Sequence, residues 1–205
     1  MSFMIRSAAA AAAALAAVLA ACASSSPAPV LLTLPPAQAS AVAAVPPGAA
    51  GSAPVLAVRR VNVPEYLVAR RVRYRADPST LAEWPNTYWA ERVEIGVSRE
   101  FVAALRAQLP GWALCDASCG DQIPTLALQI DLVPMDYLRS AQRLQARARI
   151  TVTDGSTPPR VLRTQELPYE LPASADTAQA QSQAIADLIQ QVAQATAPMI
   201  REARP

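Results

Sequence analysis

"TLALQIDLV", Thr125–Val133, is the stretch on which the fold turns. Leu126, Leu128, Ile130 and Leu132 fall on one parity, and Gln129 and Asp131 on the other. Two-residue alternation predicts a β-strand with one buried and one polar face. "RLQARARITVTDG", Arg143–Gly155, repeats the pattern, with Leu144, Ala146, Ala148, Ile150 and Val152 on one side. Asp154-Gly155 ends it with a turn signal, lengthened by Ser156–Pro159. "RVLRTQELPYEL", Arg160–Leu171, is the strand that returns from that turn.

Working outward, two segments change period. Pro85-Asn86 offers an entry and an N-cap and Pro110-Gly111 a stop. Between them Trp89, Val93, Val97, Phe101, Ala104, Leu105 and Leu109 recur at steps of three and four, the apolar face of a helix. Arg92, Glu94, Arg99, Glu100 and Arg106 are expected mostly off that face. A second helix is predicted from about Asp176, with Gln179 placed for a capping-box bond. Its stripe is Ile185, Leu188, Ile189, Val192 and Met199. Shorter strands are expected at Val30–Pro35, from Val55 to the stop at Pro64, in "ARRVRYRA" and in "STLAEWP". Half-polar strands with two amphipathic helices predict an α+β fold, a mainly antiparallel sheet with both helices packed on one face.

The N-terminal part has another logic. After Arg6, Ala8–Ala21 is an apolar run, too short to span a bilayer and suited to a secretory signal. It ends in "LAAC", Leu19–Cys22, which resembles the bacterial lipobox. That implies cleavage before Cys22, acylation of its thiol and amine, and anchoring to a membrane, stable because several acyl chains act together. The residue after Cys22 is Ala23 and not an aspartate, which favours the outer membrane. The expected organisation is a signal peptide over residues 1–21 and a lipidated tether rich in Ala, Pro and Ser over 22–54. That tether carries one short strand and spans on the order of 30 Å as a flexible coil. A single folded domain occupies 55–205.

Composition limits the chemistry. The net charge of +2 gives no reason to expect a nucleic-acid partner. The chain has no histidine, and its basic side chains are all arginine. The usual general base, the commonest metal ligand and the Ser-His and Cys-His pairs are therefore missing. Its six glycines are scattered and form no phosphate-binding loop. Glu83, Glu91 and Glu94 are the only acids that suggest a catalytic pair, and a solvated helix face explains Glu91 and Glu94 better. No enzyme activity, cofactor or metal is expected. Cys115 and Cys119 are expected to form a structural disulfide in an oxidising compartment, with free thiols the alternative.

One surface is a candidate for binding. Arg143, Arg147 and Arg149 alternate with core residues and project from one sheet face. They form either a basic strip for anionic headgroups or an acidic partner, or the solvated side of a strand in a lysine-free protein.

"VRRVNVPEYL", Val58–Leu67, followed by "LAEWPNTYWAERVEIGVSREFVAALRAQL", Leu81–Leu109, resembles the ABC-type transport auxiliary lipoproteins, the PqiC-like group. Pro64, Glu65, Tyr66, Leu67, Trp89, Ala90 and Glu91 match that group's pattern. "LLTLP", Leu31–Pro35, is similar to its opening strand, with Leu31 and Leu32 where tyrosines are usual. The resemblance implies an outer-membrane lipoprotein on the periplasmic face, auxiliary to an MCE-domain lipid (phospholipid) transport system with its permease and ATPase. It implies docking to the MCE-domain protein, with phospholipid contact and a homo-oligomer compatible with that role. On this resemblance Tyr66 and Leu67, at the strand end, are a partner-facing edge, with ordinary core packing the alternative. The alternative class is a structural or assembly lipoprotein for an outer-membrane barrel or a secretion complex.

Overall fold

Alternating side chains build the centre of the sheet, as a computed structural model of the chain shows. The structure describes residues 27–37, 53–115, 119–120 and 122–203. In chain order the elements are β1 (Val30–Leu32), β2 (Val55–Val58), β3 (Arg71–Asp77), β4 (Thr80–Trp89), α1 (Val93–Gln108), β5 (Ala113–Cys115), β6 (Leu126–Leu138), β7 (Arg143–Asp154), β8 (Val161–Pro172) and α2 (Ala178–Glu202). Short 3-10 turns lie at Glu65–Leu67 and Arg139–Ala141.

The longest ladders follow the alternation. β6 pairs antiparallel with β7 from Leu126↔Asp154 to Leu138↔Arg143, and β7 pairs antiparallel with β8. Leu126, Leu128, Ile130 and Leu132 are all at most 1 % exposed. Each such side chain contributes roughly 1.5–3 kcal/mol by leaving water. β6 does not stop at Val133. Between Leu132↔Ala148 and Met135↔Ala146 it carries one extra residue, a bulge at Val133-Pro134. The proline, which cannot donate to a ladder, falls in the irregular position, and burial then resumes on the opposite parity at Met135 and Tyr137.

The fold is α+β as expected, but the sheet is mixed where a mainly antiparallel one was expected. Among the described residues, β1 on β4, β2 on β5, β2 on β6 and β3 on β6 are parallel ladders. Only β3–β4, β6–β7 and β7–β8 are antiparallel. The parallel partners β1, β2 and β5 are strands of three or four residues, each brought in by a long connection and not by a hairpin. Both helices lie on one face. Leu144, Ala146, Ala148, Ile150 and Val152 of β7 are buried there beneath α2, and α1 packs beside α2.

The first helix begins seven residues after the expected Asn86 cap. The backbone N–H groups of Trp89 and Ala90 donate to Arg70 O (2.7 Å) and Leu32 O (2.8 Å), strands on either side of β4. A chain committed to two ladders cannot turn helical until Arg92. Pro85-Asn86 is a bulge in β4, with Asn86 at φ 48°. The second helix is capped by Thr177, whose hydroxyl accepts from Ala180 N at 3.1 Å; Asp176 pairs with Arg139.

Two acids of α1 are buried, contrary to the expected solvated face. Glu100 accepts from Ala37 N (2.7 Å) through one oxygen and from Arg99 through the other. Glu94, 6 % exposed, forms an ion pair with Arg92 in the first helical turn, where the helix dipole favours a negative charge.

Candidate functional site

The N-terminal chain is built into the domain. β1 pairs in parallel with the end of β4, Leu31 opposite Tyr88 and Leu32 opposite Trp89. Asn86 Nδ2 donates to Pro27 O (2.8 Å) and Ala28 O (3.0 Å), and Ser182 Oγ donates to Thr33 O (2.9 Å). Leu32 and Leu34 are in the core. The described residues begin five positions after Cys22, and the described part of the expected tether is therefore packed chain. Cys22 itself lies outside the described residues, as does the signal segment.

On the sheet face opposite the helices, Arg143, Arg147 and Arg149 stand together and exposed, with carboxylates across the strand boundary. Arg143 pairs with Glu170 (3.3 Å), and Arg147 (3.8 Å) and Arg149 (2.6 Å) share Glu166. The strip is thus a charge ladder of both signs. Exposed pairs of this kind contribute about 0.2–1 kcal/mol each. The acidic halves come from β8, and their register against β7 was not readable from either segment alone.

Tyr66 and Leu67 diverge. Leu67 is 9 % exposed and belongs to the core, so its side chain offers no partner surface. Tyr66 donates its hydroxyl to Asp136 Oδ1 (2.8 Å), which also receives Arg75 (2.9 Å), and the Arg75 guanidinium lies over the Tyr66 ring. Burial, and then the Asp136 carboxylate, push the Tyr66 phenol up to about 12. This triad ties the 3-10 turn to β3 and β6.

A second cluster, not anticipated from sequence, joins β3, β4 and the 3-10 turn after β6 to α2. Arg139 grips Asp176 through two nitrogens (2.8 and 3.1 Å), donates to Tyr74 Oη (2.8 Å) and lies over the rings of Tyr74 and Trp84. Trp84 Nε1 donates to Gln181 Oε1, and Gln181 Nε2 to Arg73 O, both at 2.7 Å. Its residues are spread over four elements, and no local spacing links them.

Cys115 and Cys119 are joined as a disulfide with Cα atoms 5.1 Å apart. Glu83 binds Arg71 and Arg73, and Glu91 binds Arg99. Among the described residues no three Cys, Asp or Glu side chains converge as metal ligands, and no helix is long and apolar enough to cross a membrane.

A mixed sheet thus carries two helices on one face and a ladder of paired charges on the other. The family model for ABC-type transport auxiliary lipoprotein components matches residues 32–197, and the chain belongs to that family. A search of curated proteins finds no match. Among solved structures, an uncharacterized protein superposes with a TM-score of 0.66 at 18 % identity, covering 84 % of this chain and 99 % of that one. A Xanthomonas campestris protein of the DUF330 family gives 0.60 at 17 %, covering 85 % and 94 %. At those identities the likeness establishes the fold.

Proposed function

We propose that this protein is an outer-membrane lipoprotein, acylated at Cys22, that serves an MCE-type ABC lipid transport system from the periplasmic side by docking to its MCE-domain protein. The observation that carries the reading is the family match over residues 32–197, directly downstream of the lipobox-like Leu19–Cys22. The exposed ion pairs between β7 and β8 support a docking role, since they present paired charges of both signs on one sheet face. On this reading Arg143, Arg147 and Arg149, with Glu166 and Glu170, present a two-signed polar face to the partner. Such a face selects orientation more than it adds affinity. The Cys115–Cys119 disulfide suits an oxidising periplasm.

The test is mild-detergent extraction of tagged full-length protein after brief crosslinking, with identification of its companions. Recovery of an MCE-domain protein or its permease supports the proposal. Recovery of an outer-membrane barrel or secretin in their place assigns the chain to envelope assembly and overturns the transport role.

A further inference from the structure

If Cys22 is the anchor, only Ala23–Ser26 separate it from Pro27, which Asn86 holds against β4. The five steps from Cys22 to Pro27 reach at most about 18 Å. That is far shorter than the reach of the thirty-residue tether the composition suggests. The flank of the domain where the chain emerges is consequently tied close to the membrane.

That flank has its own chemistry. β1 is an edge strand of the sheet, and two of its three residues are exposed apolar side chains, Val30 at 41 % and Leu31 at 58 %. The registers Leu31↔Tyr88 and Tyr88↔Arg71 place an aliphatic, an aromatic and a cationic residue in one row across three strands. The Arg71 guanidinium lies 5.1 Å from the centre of the Tyr88 ring and pairs with Glu83 at 3.3 Å, its side chain still 48 % exposed. Tyrosine favours the headgroup level of a bilayer, and arginine pairs with phosphate. Because β1 runs parallel to β4, the chain enters β1 from the side of the β3–β4 hairpin, Asp77–Thr80. The β7–β8 turn lies at the opposite end of β6, whose thirteen residues span about 40 Å.

We infer that the β1 edge and the β3–β4 hairpin form a membrane-contacting flank, held against phospholipid headgroups by the short link to Cys22. The β7–β8 end then points into the periplasm. The inference rests on the Cys22 anchor proposed above.

It is tested with full-length lipidated protein in vesicles of phosphatidylethanolamine and phosphatidylglycerol carrying a headgroup spin label. One fluorophore is placed, in separate preparations, on Leu31→Cys, Ser79→Cys or Ser156→Cys. Quenching several-fold stronger at positions 31 and 79 than at 156 is expected. Ser79 lies in an exposed turn, so its label reports even if the substitution in β1 disturbs pairing. Protein that floats with the vesicles but is quenched as strongly at 156 overturns the inference and leaves the anchor standing. Protein that does not float overturns both.

Discussion

The side-chain amide of Asn86 lies 2.8 Å from the carbonyl oxygen of Pro27 and so fastens the N-terminal chain to a bulge in β4. Asn86 also has φ 48°, a conformation asparagine tolerates better than most residues. Asn86→Gly keeps the backbone and loses the amide, so hydrogen exchange at the Val30–Leu32 amides should quicken with little change in global stability. Asn86→Ala should show the same and cost roughly 1–2 kcal/mol more in urea unfolding, from left-handed strain. Unchanged exchange in both variants would remove Asn86 from the seat of β1.

Gln181 bridges Trp84 and Arg73 inside the molecule, and its own side chain is only 2 % exposed. Replacing it by leucine leaves a buried indole N–H and a backbone carbonyl unpaired, each costing about 1–3 kcal/mol. A loss on the order of 3 kcal/mol is expected from denaturant unfolding followed by tryptophan fluorescence.

The Tyr66 phenol, raised to about 12 in the folded chain, ionises near 10 when unfolded. The folded state therefore keeps its proton longer. The stability this provides is full below pH 10 and is lost as pH rises from about 10 to 12. Alkaline unfolding curves should show this loss in the parent and a smaller one in Tyr66→Phe. An unaltered alkaline slope in the variant would argue against the buried hydrogen bond to Asp136.

Gly155 in the β7–β8 turn approaches the 124–125 backbone so closely that an added Cβ would stand 1.9 Å from the Pro124 carbonyl oxygen. A backbone atom cannot swing aside as a side chain does. Gly155→Ala should destabilise by about 1–3 kcal/mol, the usual range for overpacking, read as a lower melting temperature. A melting temperature equal to the parent's would show that the two segments separate freely.

Glu166 serves both Arg147 and Arg149. Glu166→Gln should cost under about 1 kcal/mol, because all three side chains are solvated. Reversing Arg143, Arg147 and Arg149 to glutamate should abolish crosslinking to the MCE-domain protein proposed as partner, with the fold intact by circular dichroism. Retained crosslinking would reduce the strip to a solvated strand face.

Sequence reading reached furthest where each residue's fate depends on near neighbours. Leu126–Leu132 and Leu144–Val152 are buried in strict alternation because strand geometry alone sends successive side chains to opposite faces. The stripe from Ile185 to Met199 lies on one helix face for an equally local reason. It failed where a distant segment intervened. Trp89 has helical spacing with Val93 and Val97, yet its N–H is taken by Arg70 and its strand is flanked by β1. Glu94 and Glu100 have the composition of a solvated face and are buried under chain that arrives from elsewhere.

The sequence by itself determined the lipobox-like Leu19–Cys22 pattern, the alternating strands, the two amphipathic helices and the lack of histidine chemistry, since all of these reside in local spacing or composition. Only the tertiary structure decided that the sheet is mixed, that β1 is built in beside β4, and that the arginines of β7 face glutamates of β8. Strand direction and register are set by hydrogen bonds and packing between segments far apart in the chain, and neither segment encodes its partner alone.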